Sequence, residues 1–408
     1  MNVATLSWRY LWSRPLATTL NLLLLALGLA SMALVLIARD QVERAFDRDL
    51  AGIDVVVGAK GSPMQLILAG VFHIDVPPGN IPLAEAAKLA QHPQVAQLIP
   101  LSLGDNLQGF RIVGTTHGYA GHYGVQLASG VLWQSPMQAV LGAQVATRTG
   151  LQLGQAFEGA HGLGVGGASH GGTPYTVSGV LAPCGCVLDR LILTATESVW
   201  RVHDDMHADA GMSEAERAEL DQALQAEREI TVALIRYRTP MAAVSFPRFV
   251  NETTSMQAAA PALEITRLLA MVGVGTQVLH GLTAVLLAVA GLSVFIALWS
   301  AVRERRGDLA MLRMLGASPA RVSALLLCEA LWLALLACAL GLLAAHALTA
   351  LLGELLAARH SLSISGWQWV SAEWWVPALA FLVAVISALL PAISAYRIDV
   401  TSLLNSTR

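Results

Sequence analysis

A chain of 408 residues that is 55% hydrophobic and only 13% charged departs from soluble chains, in which about 25% of residues are charged. Too little polar surface is left to keep a fold of this size dispersed in water, so part of it must face lipid. A net charge of -3, with Lys60 and Lys88 the only lysines, excludes the basic face that a nucleic-acid partner requires.

In chain order, a short segment 1–16 carrying Arg9 and Arg14 leads into the first of four apolar stretches. The stretches 17–38, 278–302, 322–352 and 374–396 each reach the roughly 20 residues that cross a bilayer as a helix. The first exceeds the apolar core of a secretory signal, about 7–15 residues, and no small-x-small cleavage pattern follows it, so it is expected to remain as an anchor. Arginine sets the expected orientation. Arg9 and Arg14 precede the first stretch, and Arg303, Arg305, Arg306, Arg313 and Arg321 lie between the second and third. Arg397 and Arg408 follow the fourth. Both termini and the segment 303–318 are therefore expected in the cytoplasm. The loop 353–373 is expected outside, where Trp367, Trp369, Trp374 and Trp375 suit an interfacial aromatic belt.

The segment 39–277 is then a domain outside the cytoplasm, inserted between the first and second membrane helices. Ile53–Ala59, Gly109–Gly114, Tyr175–Ala182, Asp189–Ala195 and Ile230–Arg238 are rich in β-branched residues between turn formers and read as strands. Leu83–His92 and Ser213–Glu229 read as helices, the second opening with a capping box of Ser213 and Glu216. The fold class is thus an α-helical membrane protein with four transmembrane helices and an α+β extracytoplasmic domain.

This domain carries three sets of metal-ligand residue types. His161 and His170 flank a glycine-rich loop, 159–172. Cys184 and Cys186 form a CxC pair, which can bind a soft metal as thiolates, bridge to each other in a small ring, or fill a turn. His203 and His207, at i and i+4 with Asp204 and Asp205 between them, would share a helix face as zinc ligands do, or face solvent.

Between the second and third stretches, Leu309, Leu312 and Leu315 recur at helical spacing, with Arg305, Asp308 and Arg313 around the wheel. The pattern predicts a short amphipathic helix at the inner membrane surface. Gly316 is placed for a left-handed cap, and Ser318 and Pro319 open the third membrane helix. Glu329 falls inside that helix, where a carboxylate must face protein. No GxSxG or HExxH site with a coherent set of partners appears, and neither lysine follows a phosphate-loop pattern, so any ATPase is expected on a separate chain.

RERRGDLAMLRMLGAS from Arg303, the in-membrane Glu329, and PAISAYRIDVTSLL from Pro391 resemble the FtsX-type permease domain shared by MacB, the LolCDE lipoprotein-release permeases and FtsX. The resemblance implies a bacterial inner-membrane protein acting as a dimer, with itself or a homologue, among membrane lipids. It implies an ABC ATPase, holding ATP and magnesium, docked on the helix from Glu304 to Leu315. The membrane helices would act as levers that move a MacB-like outer domain. The segments Ile53–Pro82 and Tyr237–Glu264 resemble a less characterised bacterial branch, some members of which accompany metal-responsive genes, and that resemblance implies zinc or another metal as cargo or signal. Two functions stay open here: export or extraction of a substrate, and FtsX-like signalling to an extracytoplasmic protein partner without cargo.

Overall fold

A computed structural model of the chain describes residues 2–160, 162, 173–204, 228–358 and 365–397. Most of the expected helix at 213–229 (213–227), most of the glycine-rich loop with His161 and His170, and His207, Arg359 and Arg408 lie outside the described residues, and Glu229, expected to end that helix, begins a strand instead.

The chain opens with α1 (Val3–Leu11) and α2 (Pro15–Leu50). There follow β1 (Val55–Ala59), α3 (Pro63–Gly70), β2 (Ile81–Pro82), α4 (Leu83–Ala90), β3 (Val95–Leu107), β4 (Phe110–Thr115) and α5 (His117–His122). Next come β5 (Leu127–Gly130), β6 (Gln138–Leu141), α6 (Ala143–Thr149), β7 (Ala156–Phe157) and β8 (Tyr175–Leu181). A 3-10 turn (Val187–Arg190) leads to β9 (Leu191–Ala195) and α7 (Thr196–Asp204). Then come β10 (Glu229–Ile230), β11 (Val232–Tyr237), α8 (Ala242–Thr253) and β12 (Met256–Ala259). The chain continues through α9 (Pro261–Glu304), α10 (Arg306–Met314), α11 (Pro319–Ala358), a 3-10 turn (Ser371–Trp374) and α12 (Trp375–Tyr396).

The described helices include four long and apolar enough to cross a membrane, within α2, α9, α11 and the segment ending in α12. The expected stretches 17–38 and 278–302 are the apolar parts of longer helices, since α2 continues to Leu50 and α9 begins at Pro261. Two compact units result. Among the described residues, those of 2–43, 271–358 and 365–397 form one, and those of 44–270 form the other.

The first unit is a helical bundle built on small and branched side chains. Leu25, Leu29, Ala33 and Ile37 recur every four residues along α2 and are buried, whereas Leu16, Leu20, Leu23 and Leu27 stay exposed, as a lipid-facing stripe would. Ala380, Ala384, Ala388 and Ala392 form a matching small-residue row on α12. Gly341 lets α11 approach α2 closely, because a Cβ there would lie 3.0 Å from the Ala26 carbonyl oxygen. Polar groups inside the bundle are paired: Ser293 donates to Asn21 at 2.6 Å, and the Ser31 and Thr283 hydroxyls lie 3.1 Å apart. His346 on α11 lies 2.8 Å from the Gly366 carbonyl and 3.0 Å from the buried Glu373 carboxylate.

The second unit is α+β. Its main sheet runs β12-β1-β11-β3-β4-β9-β6-β8-β5, with β7 beside β8, and β10 and β2 form a separate ribbon. Neighbours are antiparallel except β4 with β9 and β6 with β8. Each run read as a strand from sequence contributes one, but β3 carries Pro100 and the turn-forming Gly104, Asp105 and Asn106, and still pairs with both β11 and β4.

Gly142, before α6, is where this unit has least room. A Cβ there would lie 2.1 Å from the Leu188 carbonyl oxygen and 2.5 Å from that of Asp189, and backbone cannot yield as a flexible side-chain tip can. Gly142→Ala is therefore expected to destabilise the unit by about 2–3 kcal/mol, read as a lower unfolding midpoint; an unchanged midpoint would mean that the close approach is not maintained.

Candidate functional site

The joint between α9 and α11 gathers most of the sequence-predicted residues of the membrane unit. α10 ends in two reverse-turn hydrogen bonds, Ala317 N–H to the Leu312 carbonyl at 3.0 Å and Gly316 N–H to the Arg313 carbonyl at 3.1 Å. Gly316 has φ +94°, the left-handed conformation a helix end of this type needs. The Ser318 hydroxyl accepts from Arg321 N–H at 3.3 Å and opens α11. Asp308 lies exposed in the first turn of α10, where a carboxylate complements the helix dipole.

The leucines separate on α10. Leu309 is buried, Leu312 half-buried against the bundle core, and Leu315 79% exposed. Leu315 is therefore not on the same face as Leu309, a correction to the expected single stripe. At 100° per residue, two steps of three carry it about 120° round the helix. The exposed apolar face is instead Met311, Met314 and Leu315, at i, i+3 and i+4, which share one side. Arg313 is half-buried.

Arg305, between α9 and α10, turns inward. One guanidinium nitrogen lies 3.2 Å from Glu329 Oε1, and the other donates to the Tyr10 carbonyl at 3.1 Å and to the Ser13 hydroxyl. The guanidinium carbon stands 4.5 Å from the centre of the Tyr10 ring, within cation–π range. One cation thus ties the last turn of α1 to the buried carboxylate of α11. Arg14 and Glu304 form a second ion pair beside it. A cleft of about 380 Å³ opens at this corner, lined by both pairs and by Tyr10, Asn21 and Ser293.

The N-terminal helix α1 is the part that the sequence reading of 1–16 leaves out. Its signal is present: Asn2 caps it, and Val3, Leu6, Ser7, Tyr10 and Leu11 recur at helical spacing. Ser7 and Leu11 are buried, Trp8 meets Trp332 of α11 edge-to-face at 5.1 Å, and Trp332 Nε1 donates to the Ala4 carbonyl at 3.4 Å.

In the outer unit, Cys184 and Cys186 are joined in a disulfide. That overturns the soft-metal reading, since bridged sulfurs offer no thiolate. His203 lies within α7 and His207 outside the described residues. Among the described residues no three His, Cys, Asp or Glu side chains converge to hold a metal.

The disulfide turn receives the end of α2. Asp49 Oδ1 accepts from Val187 N–H at 2.9 Å, Tyr123 donates to the Asp49 carbonyl at 2.8 Å, and Asp189 accepts from Cys184 N–H at 3.0 Å and Gly185 N–H at 2.7 Å. Burial pushes the Asp49 carboxyl above its ordinary value, although Arg190, Val187 N–H and Arg48 act the other way. A carboxyl whose folded value is raised adds stability below its unfolded value, and that contribution fades as pH rises through the folded value. The stability of the native chain relative to Asp49→Asn should thus grow as pH falls from 7 to about 4. Paired thermal melts across this range check it; growth in the opposite direction would mean that Arg190 outweighs burial.

Comparison with known proteins follows the same division. The FtsX-like permease C-terminal family matches residues 281–400, and the MacB-like periplasmic core domain family matches residues 18–207. Among solved structures, the periplasmic region of MacB from Actinobacillus actinomycetemcomitans aligns at 13% identity, over 54% of this chain and 95% of that one, with a TM-score of 0.34. The extracellular domain of the noncanonic ABC-type transporter YknZ from Gram-positive bacteria aligns at 12% identity, over 50% and 98%, with a TM-score of 0.31. No curated protein matches. With one family matching the outer unit and the other the helices that follow it, the chain belongs to the FtsX/MacB-type permeases, a multi-pass membrane protein of the ABC-transporter class.

Proposed function

We propose that this chain is the permease subunit of an ABC transporter whose ATPase is a separate chain docked on α10, and that ATP hydrolysis there moves the outer domain to export or extract a substrate. The observation that carries the reading is the two-sided character of α10. Leu309 and Ala310 are buried, while Met311, Met314 and Leu315 are more than half exposed. An exposed apolar strip on a helix otherwise packed into its own bundle marks a surface for a protein partner.

Direction and compartment follow from charge. Arg9, Arg14, Arg303, Arg305, Arg306, Arg313 and Arg321 all belong to the segments around α1 and α10, which supports a cytoplasmic placement of that end and an inner-membrane location with both termini inside. ATP and magnesium then belong to the ATPase, and a second permease copy completes the assembly that the family implies.

The test is co-purification with the ATPase encoded beside this chain, followed by ATP hydrolysis measured while zinc, candidate lipids and peptides are titrated. Hydrolysis that needs this chain and rises with one ligand supports transport and names the substrate class. A complex whose hydrolysis is the same with and without this chain overturns the proposal.

A further inference from the structure

The CxC bridge has features of an exchangeable bond. Its loop encloses Gly185 alone, so closing it restricts little of the unfolded chain, in contrast to bridges that staple long loops. The Asp189 carboxylate accepts from Cys184 N–H and Gly185 N–H, so a change at the bridge reaches the hydrogen bonds of the turn. The two sulfurs differ in access: Cys184 is half-buried and Cys186 only 6% exposed. Exchange begins at the sulfur that a thiolate can reach, here the half-buried Cys184 Sγ. The bridge also sits where a change is felt. Gly185, at φ +64°, passes so close to α2 that a Cβ there would lie 3.0 Å from the Arg48 guanidinium, and Val187 N–H, one residue past the bridge, holds Asp49.

We propose that Cys184 and Cys186 form a reversible thiol–disulfide site, whose oxidised form fixes the turn seated on the end of α2 and whose reduced form frees it, with a dithiol as the exchanging partner. A thiolate of the dithiol attacks the accessible Cys184 Sγ, forms a mixed disulfide there and expels Cys186 as thiolate. The second thiolate of the dithiol attacks its own sulfur in the mixed bond and expels Cys184. The two cysteine sulfurs take up two protons, so two electrons and two protons pass from the dithiol, which leaves as its cyclic disulfide. Because α2 runs unbroken from Pro15 to Leu50, this redox state bears directly on the outer end of the first lever. The inference rests on placing the outer unit outside the cytoplasm, where a disulfide persists. Its test involves no ATPase, so the two readings fail separately.

The full chain would be purified in detergent without reductant, in a Cys328→Ala, Cys338→Ala background that removes the two free thiols. Maleimide labelling is expected to add nothing before dithiothreitol treatment and two labels after it, and oxidised dithiothreitol should restore protection. Reduction should speed amide exchange at 46–50 and 184–190 about tenfold, while β11 stays unchanged as the folding control. Two labels before reduction, a bridge that opens only in denaturant, or opening with no change in exchange would each overturn the proposal. The single variants test the asymmetry. Cys186→Ser, which leaves Cys184 free, should label about tenfold faster than Cys184→Ser; equal rates would overturn the assigned order of attack.

Discussion

Arg305→Ala is expected to destabilise the membrane unit by about 3 kcal/mol and to uncouple it from the proposed ATPase, because it leaves the buried Glu329 carboxylate without its ion-pair partner. The same substitution removes the donor to the Tyr10 carbonyl and the cation over the Tyr10 ring, loosening α1 from the joint. Glu329→Ala should be nearly as costly from the other side, since Arg305 keeps Tyr10 and Ser13 but loses the Glu329 carboxylate. The informative variant is the pair. Arg305→Met with Glu329→Leu replaces two charges by apolar groups of similar volume, a change that is often neutral or stabilising. Thermal unfolding of the native chain, Arg305→Met, Glu329→Leu and the double variant gives the coupling energy. If the double variant recovers stability but not ATP coupling, the ion pair transmits movement between α10 and α11. Recovery of both would reduce Arg305 and Glu329 to a structural contact and sink the transmission role.

What could be read ahead of the structure tracks how local its cause is. The membrane helices were legible because an all-round apolar run of that length has one stable arrangement in lipid. Gly316 and Ser318 were legible because a cap is decided within a few residues. Glu329 was legible as a buried carboxylate needing a partner, but Arg305 was not legible as that partner. The two are brought together only by the reversal at Gly316, and charge alone does not choose among Arg303, Arg305 and Arg306. The same limit applies in the outer unit. β1, β4 and β8 are regular β-branched runs, whereas Pro100 and Gly104 break the pattern of β3, which is nonetheless held between two neighbours. Pro247 likewise lies inside α8, where propensity argues for a stop but burial of Phe246 and Val250 carries the helix on. In sequence the Cys184–Cys186 bridge stands beside a metal reading, because a spacing of two fits both and only the turn geometry chooses.

The same reasoning moves the docking test off the leucines. Leu309 is 2% exposed and packs in the bundle core, so Leu309→Asp would bury a carboxylate without a partner and damage the fold itself; loss of ATPase coupling in that variant would say nothing about docking. Met311→Ser with Met314→Ser removes apolar surface that faces away from the bundle, each residue being more than half exposed. Surface changes of this kind leave unfolding within about 0.5 kcal/mol, whereas loss of central contacts at an interface costs about 2 kcal/mol, on the order of 30-fold in affinity. The double variant is therefore expected to fold as the native chain does and to bind the ATPase on the order of 30-fold more weakly. Binding by titration and unfolding by thermal melt, taken on the same preparation, separate the cases. Native affinity in the double variant would move the docking surface off this face of α10. A melt as depressed as that of Leu309→Asp would show that Met311 and Met314 are packed within the assembly of the chain itself. Reduced affinity with an unchanged melt is the result that two-sided packing of α10 requires, since one face of the helix is committed to its own bundle and only the other is left to meet a partner.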